Sequence, residues 1–117
     1  MTQQYERTDR VSQKLQEILA RLLLTEIQDP RVDGVEITDA EVTPDLKHAT
    51  IYYMPLQEET SREEIQEGLE HARGYLKREV AERLDTKYVP DLEFEFDETI
   101  ERARRIETLL DDADTGD

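Results

Sequence analysis

His48 and His71 are the only histidines, cysteine is absent, and the four glycines stand at 34, 68, 74 and 116. These few facts remove most enzyme chemistries. Without cysteine there is no thiolate nucleophile, no disulfide framework and no thiolate metal site. No serine is placed with either histidine as a triad requires, HExxH does not occur, and the glycine spacing admits neither GxxxxGK[ST] nor GxGxxG. A single histidine beside a strand is ordinarily a solvated or packed side chain. Asp112, Asp114 and Asp117 have the look of a calcium-loop fragment, but the bidentate Glu such a loop needs is missing. A hydrolase working through paired carboxylates would have Asp and Glu in plenty but no constellation of them. The expectation is therefore no catalytic residue, no metal, no cofactor and no small-molecule substrate.

What chemistry remains is electrostatic. The chain has 117 residues with 15 Lys and Arg against 30 Asp and Glu, a net charge of −15. Such a charge repels nucleic acid and anionic membranes at long range. The basic residues are nevertheless unevenly placed. Residues 1–31 balance to zero, residues 72–90 carry +2, and segments 32–56, 57–71 and 91–117 carry −4, −5 and −8. Arg10, Lys14 and Arg31 belong to the first group, and Arg73, Lys77 and Arg78 to the second. A helix beginning near Gly74 would also turn backbone N–H groups outward, toward a phosphate. The competing reading is a pair of solvated helix faces carrying i,i+4 ion pairs such as Arg78–Glu82, and charge alone favours it.

Hydrophobic periodicity gives the elements that must hold these groups. Val11, Leu15, Ile18, Leu19, Leu22, Leu23 and Ile27 step by three and four, which predicts a helix over about Thr8 to Glu26 with Thr8 as N-cap. Pro30 ends it, because the residue before a proline avoids helical geometry. Val35–Thr38 alternates, but Ala40 and Val42 fall in the opposite phase, so a bulge is expected between Ile37 and Ala40. His48–Leu56 alternates again, and Thr43-Pro44-Asp45-Leu46-Lys47 between the two runs carries turn chemistry, so the pair reads as an antiparallel hairpin. Pro55 ends the second strand or sets it at an edge.

Thr60 or Ser61 can cap the next helix, with Glu64 at the capping-box position if Ser61 does so. Ile65, Leu69, Ala72, Leu76, Val80 and Leu84 form one stripe, and Gly74 within it suggests a break into two helices at Ala72-Arg73-Gly74. One long helix with a tolerated glycine is the alternative. Leu92, Phe94 and Phe96 alternate with acidic residues as a half-buried strand, and Ile100, Ala103, Ile106, Leu109 and Leu110 mark a last amphipathic stretch. The longest purely apolar run is Leu22–Leu24, too short to span a bilayer, and the polar start lacks the apolar stretch of a signal peptide. One domain over residues 1–110 with an acidic tail at 111–117 is expected. Its core would hold Val11, Leu15, Ile18, Leu22, Ile37, Ile51, Tyr53, Ile65, Leu69, Leu76, Val80, Phe94 and Phe96, with the helices on one side of a three-stranded sheet.

Four segments taken in order carry a family resemblance: Asp29-Pro30-Arg31-Val32, Asp45–Tyr52, Ala72-Arg73-Gly74, and Val89–Phe94 leading to Asp97. Together they resemble bacterial ribosome-binding factor A over about residues 5–110. The resemblance implies an α+β, KH-like type II fold (α-β-β-α-α-β) with a C-terminal helix. It implies a non-enzymatic, cytoplasmic, monomeric ribosome biogenesis factor that binds the free 30S subunit and 16S rRNA. Such factors assist late maturation and 5′-end processing, and are associated with growth in the cold. KH domains clamp nucleotides with a GXXG loop, which is absent here; the family has an Ala-x-Gly kink instead, matched by Ala72 and Gly74. On this reading Arg10, Lys14, Arg31, Lys47, His48, Arg73, Lys77 and Arg78 contact RNA, with Arg31 free to do so. The alternative is an acidic protein-binding module that engages a basic ribosomal or nucleic-acid-binding protein through residues 93–97 and the tail.

The chain departs from the family in its charge, since members commonly present a strongly basic face. Excess Asp and Glu with only four Lys (14, 47, 77 and 87) resembles adaptation to a salty cytoplasm. Salt at about 1 M shortens the Debye length to about 3 Å and screens the self-repulsion of such a chain. The unfolding midpoint is accordingly expected to rise between low and molar salt; a midpoint that stays level would refute the halophilic reading.

Overall fold

A computed structural model describes residues 2–56 and 60–99. The expected C-terminal helix near residues 100–110 and the tail at 111–117 lie outside the described residues. The chain runs α1 (Thr2–Thr25), a 3-10 turn (Pro30–Val32), β1 (Val35–Val42), β2 (His48–Pro55), α2 (Arg62–Arg83) and β3 (Asp91–Phe96). This is the α+β arrangement expected, with the three strands in the order β1-β2-β3.

α1 begins earlier than its apolar stripe, so Thr8 lies inside the helix rather than capping it. The stripe itself is buried from Val11 to Leu23, with Leu15 and Leu19 fully enclosed. After the helix, the Asp29 carboxylate accepts from the Arg31 backbone N–H at 3.0 Å and Pro30 opens the 3-10 turn, which carries Val32 into the core.

β1 and β2 pair antiparallel, with the register slipping between Ile37 and Asp39. That slip is the expected bulge, and it returns Ala40 to the buried face. In the turn, the Leu46 N–H donates to the Thr43 carbonyl at 2.8 Å and Asp45 accepts from the Lys47 N–H at 3.0 Å. Leu46 sits at φ 62 and is almost wholly buried. A left-handed leucine costs about 1–2 kcal/mol, and burying its side chain returns about 1.5–3 kcal/mol, so the core pins the turn. β2 ends at Pro55 but is the central strand, with β3 parallel to it in the register Ile51↔Phe94.

Parallel neighbours need a crossover, and α2 supplies it. Ser61 caps α2, its hydroxyl accepting from the Glu64 N–H at 3.2 Å. The helix then runs 22 residues to Arg83 without interruption. The expected break at Ala72-Arg73-Gly74 is therefore corrected to one helix, and no helix N-terminus exists near Gly74 to receive a phosphate. The reason lies in the stripe. Ile65, Leu69, Ala72, Leu76 and Val80 are all buried, in unchanged phase across Gly74. Their burial, at about 1.5–3 kcal/mol for each large side chain, outweighs the roughly 1 kcal/mol that a mid-helix glycine costs.

Every residue of the expected core packs there, with Ile37 and Phe96 half-buried at its margin. Val32, Leu46, Leu84 and Leu92 join it from the turns and from β3, and Leu19, Leu23, Ala40, Ala49 and Ala72 from within the helices and strands.

The glycine that the packing requires is Gly68. A Cβ there would stand 2.8 Å from Val32 Cγ1 and 3.1 Å from Arg31 Cβ, so α2 touches the 3-10 turn through a bare backbone. A Cβ at Gly74 would meet nothing within 4 Å. Gly74→Ala is thus expected to raise stability by about 1 kcal/mol, and Gly68→Ala to lower it by about 1–3 kcal/mol through overpacking. Urea midpoints of the two variants check both signs.

Candidate nucleic-acid interface

The seven basic candidates and His48 fall into four settings. Arg10 and Lys14, on the outer side of α1, border a cleft of about 480 Å³ between that helix and the segment following α2. Arg7 and Lys87 line the same cleft, facing Val11, Leu84, Asp85 and Thr86. Arg7, Arg10, Lys14 and Lys87 make no ion pair among the described residues; Lys87 lies 5.4 Å from the ring centre of Tyr88. Among the described residues, four cations thus border one hollow against a single carboxylate, Asp85.

His48, Arg73 and Lys77 meet at a second hollow of about 350 Å³, together with Gly74, Asp91, Leu92 and Glu93. Its cations are compensated. Lys77 is paired with Asp91 and Arg73 with Glu70. The Lys77 ammonium holds the Asp91 carboxyl below the usual carboxylate range. Lys47 and Arg78 are exposed and without an ion pair among the described residues; the expected Arg78–Glu82 pair does not form, and Arg83 bonds Glu79 at 3.2 Å instead.

Arg31 is a correction. It is not free: its guanidinium grips Asp29 at 2.7 Å and reaches Glu67 on α2 at 3.4 Å. The grip lowers the Asp29 pKa and raises that of Arg31. Asp29-Pro30-Arg31-Val32 is a joint fastening the end of α1 to α2. Ala72 is likewise a core residue rather than part of a bend.

The structure adds Arg7 and Lys87 to the candidates. Arg7 was findable, since it shares a helix face with Arg10 and Lys14 at the spacing i, i+3, i+7. Lys87 was not, because only the packing of α1 against the end of α2 brings it there.

The face of the sheet away from the helices has the opposite character. Tyr52 pairs across to Asp39 and Glu95, Thr50 to Glu41 and Glu93, and Met54 to Glu36. Directly opposed residues share a face, so five carboxylates surround Tyr52. Its hydroxyl donates to Glu41 at 3.1 Å. Among the described residues no helix is long and apolar enough to cross a membrane, and no three acidic or histidine side chains are grouped as a metal site needs.

The profile of the family described as ribosome-binding factor A matches residues 7–110. The chain belongs to the ribosome-binding factor A family. Ribosome-binding factor A of Neisseria gonorrhoeae is 41% identical over 107 residues, covering 92% of this chain and 86% of that protein. The one from Nitrosospira multiformis is 38% identical over the whole chain and 93% of its own length. Among solved structures, a Thermotoga maritima protein described as a putative ribosome-binding factor A has a TM-score of 0.66 at 26% identity, over 76% of this chain and 85% of that one. A homology model of Thermus thermophilus ribosome-binding factor A, fitted into an electron-microscopy map of a 30S complex, has a TM-score of 0.58 at 25% identity, over 69% of this chain and 85% of that one. Family members have the KH-like fold, and the sheet and helices found here follow it.

Burial, the bond to Glu41 and the surrounding carboxylates push the Tyr52 phenol up to about 12. The folded-state value exceeds the unfolded value of about 10, so the stability linked to Tyr52 is complete below pH 10 and is lost as pH rises toward 12. Burial also raises Tyr53 and Tyr75, so ultraviolet titration of the phenolates is expected to show a late component that is smaller by one phenol in Tyr52→Phe.

Proposed function

We propose that this chain binds the free 30S subunit, contacts 16S rRNA, and assists late maturation including processing of the 5′ end. It acts as a monomeric, cytoplasmic, non-enzymatic factor without a cofactor. Family membership supports the reading, and the observation that carries its mechanism is the cleft bordered by Arg7, Arg10, Lys14 and Lys87. A chain of charge −15 is repelled by RNA at a distance. Its contacts must therefore be short-range, and cations without local carboxylate partners are the ones able to make them. A guanidinium gripping phosphate in a fork withstands screening better than long-range attraction does. Arg73, Lys77 and Arg31 would first have to leave Glu70, Asp91 and Asp29.

A second reading draws on the carboxylates around Tyr52, which suit a basic ribosomal protein. RNA competes for the first mode, whereas capture of a basic protein that survives nuclease treatment marks the second.

Co-sedimentation with isolated small subunits tests the proposal. Arg10→Glu, Lys14→Glu and Lys87→Glu combined are expected to weaken binding by about tenfold or more, each reversed contact weakening phosphate attraction. Arg73→Glu with Lys77→Glu is expected to have the smaller effect. Cleft variants that sediment like the parent would remove the cleft from the interface; a parent that does not sediment with small subunits would remove the function.

A further inference from the structure

Among residues 7–56 and 60–99, Tyr88 is the one aromatic side chain left half exposed, at 50%. Tyr53 and Phe94 are buried, and Tyr52, Tyr75 and Phe96 are partly covered. An exposed tyrosine is ordinary by itself. Its neighbours set this one apart. Thr86 and Lys87, just before it, line the cleft that also carries Arg7, Arg10 and Lys14. The Lys87 ammonium lies 5.4 Å from the centre of the Tyr88 ring, so the ring stands beside that cleft.

The segment is fastened on both sides of the ring. Leu84 and Pro90 are buried, and Val89 packs against the core. Between them the Thr86 N–H donates to the Leu84 carbonyl at 3.0 Å, and the Thr86 hydroxyl donates to the Tyr88 carbonyl at 2.7 Å. Beyond Pro90, the Asp91 N–H donates to the Lys47 carbonyl at 2.8 Å. The backbone of Tyr88 is thus placed before any partner arrives, while its ring stays out of the core that anchors its neighbours.

A flat ring beside unpaired cations discriminates between forms of RNA. In a duplex the base faces are stacked on one another, and the grooves offer only base edges, 2′-hydroxyls and phosphates. An unpaired strand offers its base faces to an aromatic ring and its phosphates to cations alongside. Stacking also needs no charge, so the repulsion that a chain of −15 exerts on RNA does not weaken it directly. We propose, resting on the reading of the cleft as an RNA contact, that it takes an unpaired stretch of RNA, with Tyr88 stacked on a base while Arg7, Arg10, Lys14 and Lys87 hold the flanking phosphates. Every base has a face to stack, so the site selects for strandedness more than for sequence.

Fluorescence anisotropy of the full-length chain with a labelled single-stranded RNA of about ten nucleotides, and with the same RNA in a duplex, tests this. The parent is expected to bind the single strand at least about tenfold more tightly than the duplex. Tyr88→Ala and Tyr88→Leu are each expected to weaken single-strand binding by about tenfold, and Tyr88→Phe to retain it, because the ring face makes the contact. The slope of log affinity against log salt is expected to stay unchanged in Tyr88→Ala and to become shallower by about 1 in Arg10→Glu with Lys14→Glu. Equal affinity for the duplex, no binding of the strand by the parent, or a Tyr88→Ala variant that binds like the parent would each overturn the proposal. A parent that gives one of these results yet sediments with small subunits loses the stacking site alone. A parent that selects the single strand but does not sediment with them loses the ribosomal function and keeps the site.

Discussion

The parallel pairing of β3 with β2 is the constraint on which the rest of the molecule depends. Parallel strands cannot be joined by a tight turn, so the chain must return along the sheet before β3 can form. α2 makes that return in one span, and in doing so buries the stripe from Ile65 to Val80 on the sheet. α1 then fills the remainder of the same face. The glycines follow from this geometry. Where α2 crosses the 3-10 turn, Val32 needs the space at Gly68. Where α2 faces solvent, Gly74 meets nothing and the helix carries it.

Charge is arranged around this frame in two ways. Some cations neutralise local acidity: Arg31 with Asp29 and Glu67, Arg73 with Glu70, Lys77 with Asp91, Arg83 with Glu79. Pairs this exposed add little stability each, about 0–1 kcal/mol. Their larger effect is to hold like charges apart in a chain with twice as many acids as bases. Others, at the cleft between α1 and the end of α2, make no ion pair among the described residues. The division separates cations that serve the fold from cations available to a polyanion, and it could not be read from the segment charges, which are similar for the two groups.

The hairpin shows how local and tertiary forces cooperate. Asp45 organises the turn through its own neighbours, accepting from Thr43 and Lys47. These bonds hold its carboxyl below the usual range. They also leave Leu46 in a left-handed conformation that a leucine would not choose alone. Burial of its side chain decides the matter, so a residue in a polar turn becomes a core residue.

Residue pattern alone determined the amphipathic faces, the bulge after Ile37, a helix cap at Thr60 or Ser61, the strand phases and much of the core, because each depends on neighbours within a few positions. The family was legible in four short segments for the same reason. Arg31 is held chiefly by Asp29, two residues away. Tertiary structure decided whether Gly74 breaks a helix and which cations share a hollow. Those two outcomes turn on which partner lies across a gap of many residues: a buried stripe that outweighs one glycine, and a lysine after α2 brought against α1. Spacing along the chain records none of these distances, and only packing fixes them.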